Sequence, residues 1–373
     1  MFQKRLYSIV FLSLFAVMLS LVSGCSSSDS VTGASGGTNN PPTSRTGFGV
    51  SGLLFENNLL MWFRETDGQR SELFPQMYLT RTDAANFPVW NDFPTQHLVS
   101  GGVPRDGIPA LVNPAFAAPG SRDLNYLRDN DLVLGVVVNG EAKAYPENIL
   151  WWHEIANDRI GGVEIVASLC PLTGTGIVFR MPENGNTIDK LEMLPVVETT
   201  WKKWREMHPN TTAISENTGF SRDYTAYPYG GYRSENTQPL FPLQTTSVDT
   251  RFPQKHTVLG LLINDVQMAY PFSKLQSRPV VNDDLSGKNI LIVSEISSRL
   301  AIPYDRNVSG QTLTFTIKTA NPFEMTDDQT GSIWNIQGEA ISGTLAGSRL
   351  EQIPAYNAFW FAWSTFWPNT QVF

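Results

Sequence analysis

Two stretches of this chain repeat each other, and the repeat limits the possible folds more than composition does. Segment 133–146 reads VLGVVVNGEAKAYP and segment 258–271 reads VLGLLINDVQMAYP, so seven of fourteen positions are identical at an offset of 125 residues. A second pair of segments, 191–211 and 350–370, shares Leu-Glu-x-x-Pro, Trp-x-x-Trp and Pro-Asn-Thr motifs at an offset of 159 residues. Such self-similarity is typical of a duplicated structural unit. We therefore predict two related halves that pack as one pseudo-symmetric body. Their predicted boundaries are 47–220 and 221–373.

The two offsets differ by 34 residues, so the second half contains a segment that the first half lacks at the same place. This extra segment lies near 313–347. A stretch of similar length and pattern, 47–79, precedes the first half instead, and Asn57–Asn58 suits a tight turn between two strands. We predict that this N-terminal hairpin completes the first half. An unrelated hairpin added at the terminus is the alternative.

Composition favours short strands and tight turns over long helices. The chain has 29 Gly and 24 Pro residues, and 11% of its residues are aromatic. Glycine and proline form turns, and aromatic residues are enriched in strands. We predict an α+β fold that is mainly β, with short helices and a hairpin turn at Asn139–Gly140. The predicted strands are Leu132–Val138, Glu141–Ala144, Val163–Leu169, Thr175–Arg180, Val258–Ile263, Asn289–Val293 and Thr312–Thr316. The predicted helices are Pro146–Glu154 and Thr199–Met207, with Tyr356–Phe366 as the counterpart of the latter.

The first 25 residues are typical of a targeting signal rather than of the fold. Lys4 and Arg5 precede an apolar stretch at 6–21, and small residues then lead to Cys25. This arrangement resembles a bacterial lipoprotein signal, which implies cleavage before Cys25 and lipidation of its thiol. We therefore expect a lipid-anchored protein of the cell envelope. An uncleaved membrane anchor is the alternative.

Two further expectations follow from this N-terminal region. Residues 26–46 are rich in Ser, Gly, Asn and Pro and have almost no apolar residues, which is typical of a flexible linker. Ser26 follows the cysteine, and by the lipoprotein sorting pattern this favours the outer membrane in a Gram-negative host, facing the periplasm or the surface.

Net charge excludes one class of partner. The chain carries a formal net charge of −8, and it has no basic run beyond the N-terminus. Nucleic-acid binding requires clustered Lys and Arg to neutralise phosphates, so we expect no nucleic-acid partner. The membrane, through the N-terminal lipid, is the partner that the sequence predicts. It does not identify a small-molecule or protein partner.

The candidate site consists of His153, Glu154 and Cys170. If Cys25 is lipidated, Cys170 is the remaining thiol, so an intramolecular disulfide is impossible. One hypothesis is thiol chemistry with Cys170 as nucleophile, His153 as base and Glu154 as the orienting group. A second is a metal site in which His153 and Cys170 bind a transition metal ion, the one cofactor considered. A third is a structural role only, since buried cysteines and single histidines are common in cores.

The repeat favours a site in the first half. At an offset of 125, His153 corresponds to Arg278, Glu154 to Pro279 and Cys170 to Glu295. In contrast, Asn157–Asp158 recurs as Asn282–Asp283, so we expect these residues to be structural, capping a turn. Residues that the fold needs should recur in both halves, whereas residues that a site needs can be lost from one. Whether the chain is an enzyme is left open.

A different class of function is a binding or scaffold module. The aromatic stretch Tyr224–Tyr232 would then offer a stacking surface for a glycan or a peptide. The test is geometric, because the site hypothesis requires the sulfur of Cys170 to lie close to the His153 ring.

Several motifs together resemble a known family, the domain of unknown function 3179 of bacteria and archaea. The motifs are SGGVPRDGIPA at 100–110, GEAKAYP at 140–146, WHEIAND at 152–158, CPLTGT at 170–175 and YPYGGY at 227–232. No activity is firmly assigned to the family. Relatives carry a second cysteine or selenocysteine where this chain has Thr173, which implies redox or metal chemistry near Cys170 in those relatives. In the family the Ser-Gly-Leu-Leu hairpin follows the Cys-Pro-Leu stretch, whereas here it precedes that stretch, at Ser51–Leu54.

Overall fold

The computed structural model describes a chain that is mainly β, as predicted. The described parts are the strands at 52–56, 59–66, 69–72 and 79–80, and residues 108–181, 191–235, 237–240 and 248–373. Contacts divide the chain into two compact units. The first unit is Met1–Ile108 with Met181–Glu192, and the second is Pro109–Arg180 with Met193–Phe373.

The described strands of the first unit form one antiparallel sheet. Its strands are β1 (Gly52–Glu56), β2 (Leu59–Thr66), β3 (Gln69–Glu72) and β4 (Leu79–Thr80). β2 is central, with β1 on one side and β3 and β4 on the other. Glu56 pairs with Leu59, so the predicted hairpin with a two-residue connection is confirmed. The turn residues Asn57–Asn58 lie outside the described residues, and the role of the hairpin in completing the first half stays a prediction.

The second unit contains five sheets of four or five strands in a propeller-like arrangement. Sheet I has the order β13-β7-β8-β14-β6, and sheet II has the order β12-β11-β10-β9-β5. The strands of these two sheets are β5 (Leu111–Val112), β6 (Phe116–Ala117), β7 (Leu132–Val138), β8 (Glu141–Pro146), β9 (Ile155–Ile160), β10 (Val163–Cys170), β11 (Thr175–Arg180), β12 (Met193–Leu194), β13 (Val197–Thr200) and β14 (Thr212–Ile214).

The other three sheets are built from the second half of the sequence. Sheet III has the order β27-β15-β16-β28, sheet IV the order β17-β18-β19-β26, and sheet V the order β22-β23-β24-β25. β20 and β21 form a separate two-stranded ribbon. These strands are β15 (Thr257–Ile263), β16 (Val266–Pro271), β17 (Val280–Leu285), β18 (Lys288–Glu295), β19 (Leu300–Asp305), β20 (Asn307–Val308), β21 (Gln311–Thr312), β22 (Phe315–Ala320), β23 (Phe323–Asp327), β24 (Ile333–Asn335), β25 (Ala340–Ser342), β26 (Glu351–Gln352), β27 (Tyr356–Phe359) and β28 (Gln371–Val372).

Four short helices join these strands in the described part of the chain. They are α1 (Glu147–His153), α2 (Trp201–Met207), α3 (Phe272–Ser277) and α4 (Trp360–Phe366). Pro146 stands at the N-cap of α1, where the missing N–H of proline costs no hydrogen bond. Thr200 caps α2 through its hydroxyl, which accepts a bond from the Lys203 amide. None of the described helices combines the length and the apolar character needed to cross a lipid bilayer.

Strand and helix boundaries recur at the two sequence offsets. β7 to β11 are followed 125 residues later by β15 to β19 with matching ends, and β13 and α2 are followed 159 residues later by β27 and α4. The contacts recur as well. The Tyr145 hydroxyl donates to Asp158 Oδ2 at 2.8 Å, and the Tyr270 hydroxyl donates to Asp283 Oδ2 at the same distance.

Three details differ from the sequence-based predictions. Asn157–Asp158 was predicted to cap a turn, but both residues lie inside β9, where backbone pairing leaves their side chains to bond neighbouring elements. The predicted helix Tyr356–Phe366 is a strand followed by a helix, and Thr199–Met207 likewise begins in β13. The predicted strand Thr312–Thr316 is divided between β21 and β22. The local sequence pattern cannot locate such boundaries, because they depend on pairing with the adjacent strand of the sheet.

Glycine and tryptophan pack against each other at matching places in both halves. A Cβ on Gly135 would lie 2.3 Å from the Trp204 ring, and a Cβ on Gly260 would lie 2.0 Å from the Trp363 ring. Trp204 and Trp363 are almost fully buried. Each ring therefore lies flat against a strand at the one residue that has no side chain.

Hydrogen bonds also join the two halves directly. The Thr199 hydroxyl donates to the Ser298 carbonyl at 2.7 Å, and the Phe359 amide donates to the Thr173 carbonyl at 2.8 Å. Thr173 and Ser298 correspond at the offset of 125 residues. Equivalent turns of the two halves thus each bond a strand of the other half.

Candidate functional site

The structure places His153 at the end of α1, where its ring bonds two residues of other segments. Nδ1 lies 2.8 Å from the carbonyl oxygen of Pro109, and Nε2 lies 2.8 Å from the Tyr224 hydroxyl. A carbonyl only accepts, so Nδ1 carries the proton and Nε2 accepts from Tyr224. The Tyr224 oxygen in turn lies 2.5 Å from the Thr218 hydroxyl, which completes a chain of hydrogen bonds.

This arrangement keeps the imidazole of His153 neutral, with both ring nitrogens hydrogen-bonded. Burial lowers the pKa of His153, the bond to Pro109 opposes that effect, and Arg222 lowers the pKa further. Both ring nitrogens already have protein partners. The role of His153 as a base for Cys170 stays a prediction.

Glu154 and Cys170 do lie near each other. Glu154 follows α1 in a left-handed conformation, with φ of 55°, which turns the chain into β9. Burial raises the pKa of its carboxyl well above the usual range, which a hydrogen bond from Tyr229 partly opposes. That bond reaches Oε1 at 3.4 Å, whereas the buried Oε2 has no hydrogen-bond partner among the described residues.

Cys170 ends β10 as a buried thiol, 2% exposed. Burial raises its pKa to about 12, and the charge of nearby Glu154 adds to the increase. Hydrogen bonds at Thr173 and Leu172 oppose the shift without cancelling it. At neutral pH the sulfur is therefore a thiol, next to a carboxyl group that burial also favours in the neutral form.

A transition metal ion bound by His153 and Cys170 stays a prediction, and the described contacts do not favour it. A histidine ligand needs a free ring nitrogen at about 2.0–2.1 Å from the ion, but both nitrogens of His153 are bonded to protein atoms. Across the described ranges, no group of three or more His, Cys, Asp and Glu side chains is arranged to hold an ion.

The aromatic stretch Tyr224–Tyr232 packs over the candidate residues. Tyr227 meets Trp151 edge to face at 4.8 Å, and the Tyr232 hydroxyl donates to the Leu172 carbonyl at 2.8 Å. Tyr224 and Tyr232 are only 4% and 5% exposed. These two tyrosines therefore do not provide the exposed stacking surface that the sequence suggested.

A cavity of about 340 Å³ lies beside this cluster. Both halves contribute to its walls at corresponding positions: Leu132 with Thr257, and Gly174 with Arg299, both at the offset of 125 residues. The remaining lining residues are Asn130, Asp131, Glu147, Trp151, Leu169, Pro171, Glu198, Arg233, Glu235, Lys255 and Phe359.

The three cations of the cavity differ in their partners, because one forms an ion pair and the other two bond neutral oxygens. Glu147 and Arg233 form an ion pair at 2.5 Å. Lys255 donates instead to the Tyr232 carbonyl and the Thr237 hydroxyl, and burial lowers its pKa to about 8. Arg299 donates from Nη2 to the Thr257 hydroxyl at 3.2 Å.

Glu198 is the carboxyl group of the cavity with the most perturbed ionisation. Burial raises its pKa to about 7 and the neighbouring Glu147 adds to the increase, whereas Arg299, Asn357 and Arg233 oppose it. Glu198 and Asn357 correspond at the offset of 159 residues, so equivalent positions of the two halves hydrogen-bond each other here.

Sequence reasoning did not identify Glu198, Arg233, Lys255 or Arg299. The repeat contained a signal for two of them. Arg299 stands in the second half where the first half has Gly174. Glu198 stands in the first half where the second half has Asn357.

Comparison with known proteins gives one match. The family described as "Protein of unknown function (DUF3179)" matches residues 105–189 and 183–370. Searches of curated proteins and of solved structures found no match to this chain.

Proposed function

The chain belongs to the DUF3179 family, and from that premise we propose that it is a binding protein for a small charged solute, held in the cavity between the two halves. The observation that carries the proposal is the set of charged side chains that both halves direct to one cavity. This proposal keeps the binding class of function but moves it from the aromatic surface to the cavity.

The size and lining of the cavity suit this role. Ligand pockets usually measure roughly 300–1,000 Å³ and combine apolar walls with a few polar groups. The cavity, at about 340 Å³, lies at the small end of that range. Its walls include Leu132, Leu169, Pro171 and Phe359 as well as the charged groups.

Buried polar atoms without partners support a missing ligand. Arg299 Nε and Asn357 Oδ1 have no hydrogen-bond partner among the described residues. Buried polar atoms are nearly always hydrogen-bonded, because an unpaired one costs about 1–3 kcal/mol. Of these two residues Arg299 lines the cavity, where a polar solute would supply its guanidinium with a partner.

The test is to fill the cavity. Thermal unfolding of the full chain is measured with a panel of carboxylates, amino acids, polyamines and phosphates, for the wild type, Leu132→Trp and Val137→Trp. Leu132 lines the cavity, whereas Val137 lies on the same strand and is 46% exposed. We expect at least one solute to raise Tm of the wild type and of Val137→Trp but not of Leu132→Trp. If no solute raises Tm, or if Leu132→Trp responds like the wild type, the proposal is wrong.

Thiol chemistry is a second candidate, favoured by the unpartnered Oε2 of Glu154 near Cys170. In this scheme the sulfur of Cys170 attacks an external low-molecular-weight disulfide. A new S–S bond forms as the old one breaks, and the thiol proton passes through Glu154 to the departing sulfur. His153 then acts as a positioning residue that holds Tyr224 over the site. The Cys170 experiment in the Discussion separates this candidate from an inert thiol.

We also propose that the protein is anchored in the cell envelope through a lipid on Cys25. The support is the order of basic, apolar and small residues before that cysteine. Metabolic labelling with radioactive palmitate should label the wild-type chain, and Cys25→Ser should abolish the label. Equal labelling of both chains would contradict the anchor.

A further inference from the structure

We propose that the solute is a small organic carboxylate whose anionic group pairs with Arg299 and Lys255. This inference rests on the proposed binding function and specifies its ligand class.

The first argument is that neither of these two cations forms an ion pair with a carboxylate in the described part of the chain. Arg233, the third cation of the cavity, has its partner in Glu147. In the described part of the chain, the hydrogen-bond partners of Lys255 and Arg299 are neutral oxygens, and neither residue forms an ion pair with a carboxylate. Buried cations are normally paired. Lys255 is buried and Arg299 is half-buried, and an anion in the cavity would give both the charged partner that no described carboxylate supplies as an ion pair.

The second argument is the backbone at Arg299. This residue adopts a left-handed conformation with φ of 59°, and its counterpart in the first half is Gly174, with φ of 62°. Glycine accepts that conformation without strain, whereas arginine does not. Strained residues cluster at binding sites, where the side chain is needed in spite of the backbone.

The environment of the Arg299 side chain fits a carboxylate. Thr257 and the Phe272 ring, whose centroid lies 5.5 Å from the guanidinium carbon, fix the side chain, while Nε remains without a partner. A guanidinium presents parallel N–H groups that match the two oxygens of a planar carboxylate. An anion in the cavity would therefore give the guanidinium a charged partner.

The walls of the cavity favour an organic anion over inorganic phosphate. Leu169, Pro171 and Phe359 line it together with the cations, and these apolar surfaces suit a carbon skeleton. A phosphate dianion would lie near the carboxyl groups of Glu147 and Glu198 without an apolar part to bury.

The site should also depend on pH. The charged and polar groups that act on Glu198 are Glu147 on α1, Arg233 directly after the aromatic stretch Tyr224–Tyr232, Arg299 after β18 and Asn357 on β27. The pKa of Glu198 is near 7 and that of Lys255 near 8. As pH rises from 6 to 8, Glu198 gains negative charge and Lys255 loses positive charge. Both changes weaken the binding of an anion.

The experiment is calorimetric titration of the full chain with succinate at pH 6 and pH 8. Succinamide serves as the neutral analogue, putrescine as the cationic one and sodium phosphate as the inorganic anion. We expect succinate to bind at least tenfold more tightly at pH 6 than at pH 8, and more tightly than the other three probes.

Arg299→Gly is the decisive variant, because it introduces the residue that the first half already has at this position. We expect it to fold with an unchanged or higher Tm and to weaken succinate binding at least tenfold. Arg299→Lys should bind with intermediate affinity. Ser286→Gly is the matched control, since Ser286 also has a positive φ, of 53°, but does not line the cavity. It should bind succinate like the wild type.

The outcomes separate this inference from the proposed function. If succinamide, putrescine or phosphate binds better than succinate and Leu132→Trp abolishes that binding, the cavity is a binding site but the carboxylate inference is wrong. If Arg299→Gly binds succinate like the wild type, the inference is wrong as well. If the wild type binds none of these probes and no solute of the wider panel raises its Tm, both proposals fail.

Discussion

At the scale of a single residue, the pKa of the Glu198 carboxyl is set by contacts that act in opposite directions. Burial and Glu147 favour its neutral form, while two arginines and an amide favour the charged form, and the pKa settles near 7. At Cys170 and Glu154 the hydrogen bonds that favour the charged form do not offset burial, so both groups are held in their neutral forms. Burial therefore explains why a thiol and a carboxyl that look reactive in the sequence differ so much from free side chains.

Deprotonation of Glu198 should lower the free energy of unfolding as pH rises. Its folded pKa is raised from 4.5 to about 7, so the folded state binds more protons than the unfolded state in that window, and stability is lost as pH rises through it. Glu198→Gln keeps the shape without the titration. We expect the variant to gain about 1–3 kcal/mol in free energy of unfolding relative to the wild type between pH 5 and pH 8. Urea unfolding at both pH values measures this.

Glu164→Gln provides the matched control, because Glu164 has an exposed side chain on β10. Its free energy of unfolding should track that of the wild type at both pH values. A Glu198→Gln difference that is the same at pH 5 and pH 8 would contradict the raised pKa.

Cys170 should react slowly with a disulfide reagent. With the pKa near 12, the thiolate fraction at pH 7 is on the order of 10⁻⁵. We expect 5,5′-dithiobis(2-nitrobenzoate) to modify the native chain at least 1,000-fold more slowly than the chain unfolded in urea. Both measurements use the Cys25→Ser chain, so that Cys170 is the thiol whose modification is measured.

Rapid modification of the native chain would overturn this expectation. If Glu154→Gln then slowed the reaction, the result would favour the thiol-chemistry candidate. If Glu154→Gln left the rate unchanged, the carboxyl would have no part in it.

Among the elements, each half places a helix against a glycine of the neighbouring strand. Gly135 on β7 meets Trp204 on α2, and Gly260 on β15 meets Trp363 on α4. The indole N–H groups donate to the hydroxyls of Thr211 and Thr370 at 2.8 Å in both cases. The repeated Gly, Trp-x-x-Trp and Pro-Asn-Thr motifs thus belong to one packing arrangement, although they are distant in the sequence.

Adding a methyl group at either glycine should disrupt this packing. The new Cβ would lie 2.3 Å from Trp204 in Gly135→Ala and 2.0 Å from Trp363 in Gly260→Ala, and a fully buried ring has little room to move. We expect each substitution to cost about 1–3 kcal/mol or more. Urea unfolding checks the cost.

Gly231→Ala is the corresponding control, because nothing lies within 4 Å of a Cβ there. It should change stability by less than about 0.5 kcal/mol. Equal midpoints for Gly135→Ala and Gly231→Ala would mean that the tryptophan moves without cost.

At the scale of the whole molecule, the second unit behaves as one structure rather than as two independent halves. Thr199 bonds the turn at Ser298, Phe359 bonds the turn at Thr173, and Lys203 pairs with Glu295 at 2.7 Å. Glu295 corresponds to Cys170, so where the first half buries a thiol, the second half forms an ion pair with the first. One hydrophobic core also contains side chains of both halves.

The two halves should therefore unfold together. We expect Gly135→Ala and Gly260→Ala, although located in different halves, to lower the midpoint of one shared transition. Hydrogen exchange measured by mass spectrometry in increasing urea follows β7 and β15 separately. Different midpoints for these two strands in either variant would contradict a single cooperative unit.

Local pattern was enough to predict the hairpin at Asn139–Gly140, the strand ending at Cys170 and the helix after Pro146. These features depend on turn chemistry, alternation and capping, which act between neighbours in the sequence. The repeat predicted matching elements in two halves for the same reason, since similar sequences have similar local preferences.

The partners of the candidate residues depended on contacts between distant segments. His153 and Glu154 are adjacent, but the left-handed turn at Glu154 separates them, so that one meets Pro109 and Tyr224 while the other lies near Cys170 and Tyr229. The cavity likewise combines side chains from both halves, including Arg233 and Glu235, which follow the aromatic stretch. The sequence pattern does not show which strands meet, because that is set by packing across the whole unit. Burial then shifts the pKa of Glu198 upward and that of Lys255 downward, which the sequence alone could not show.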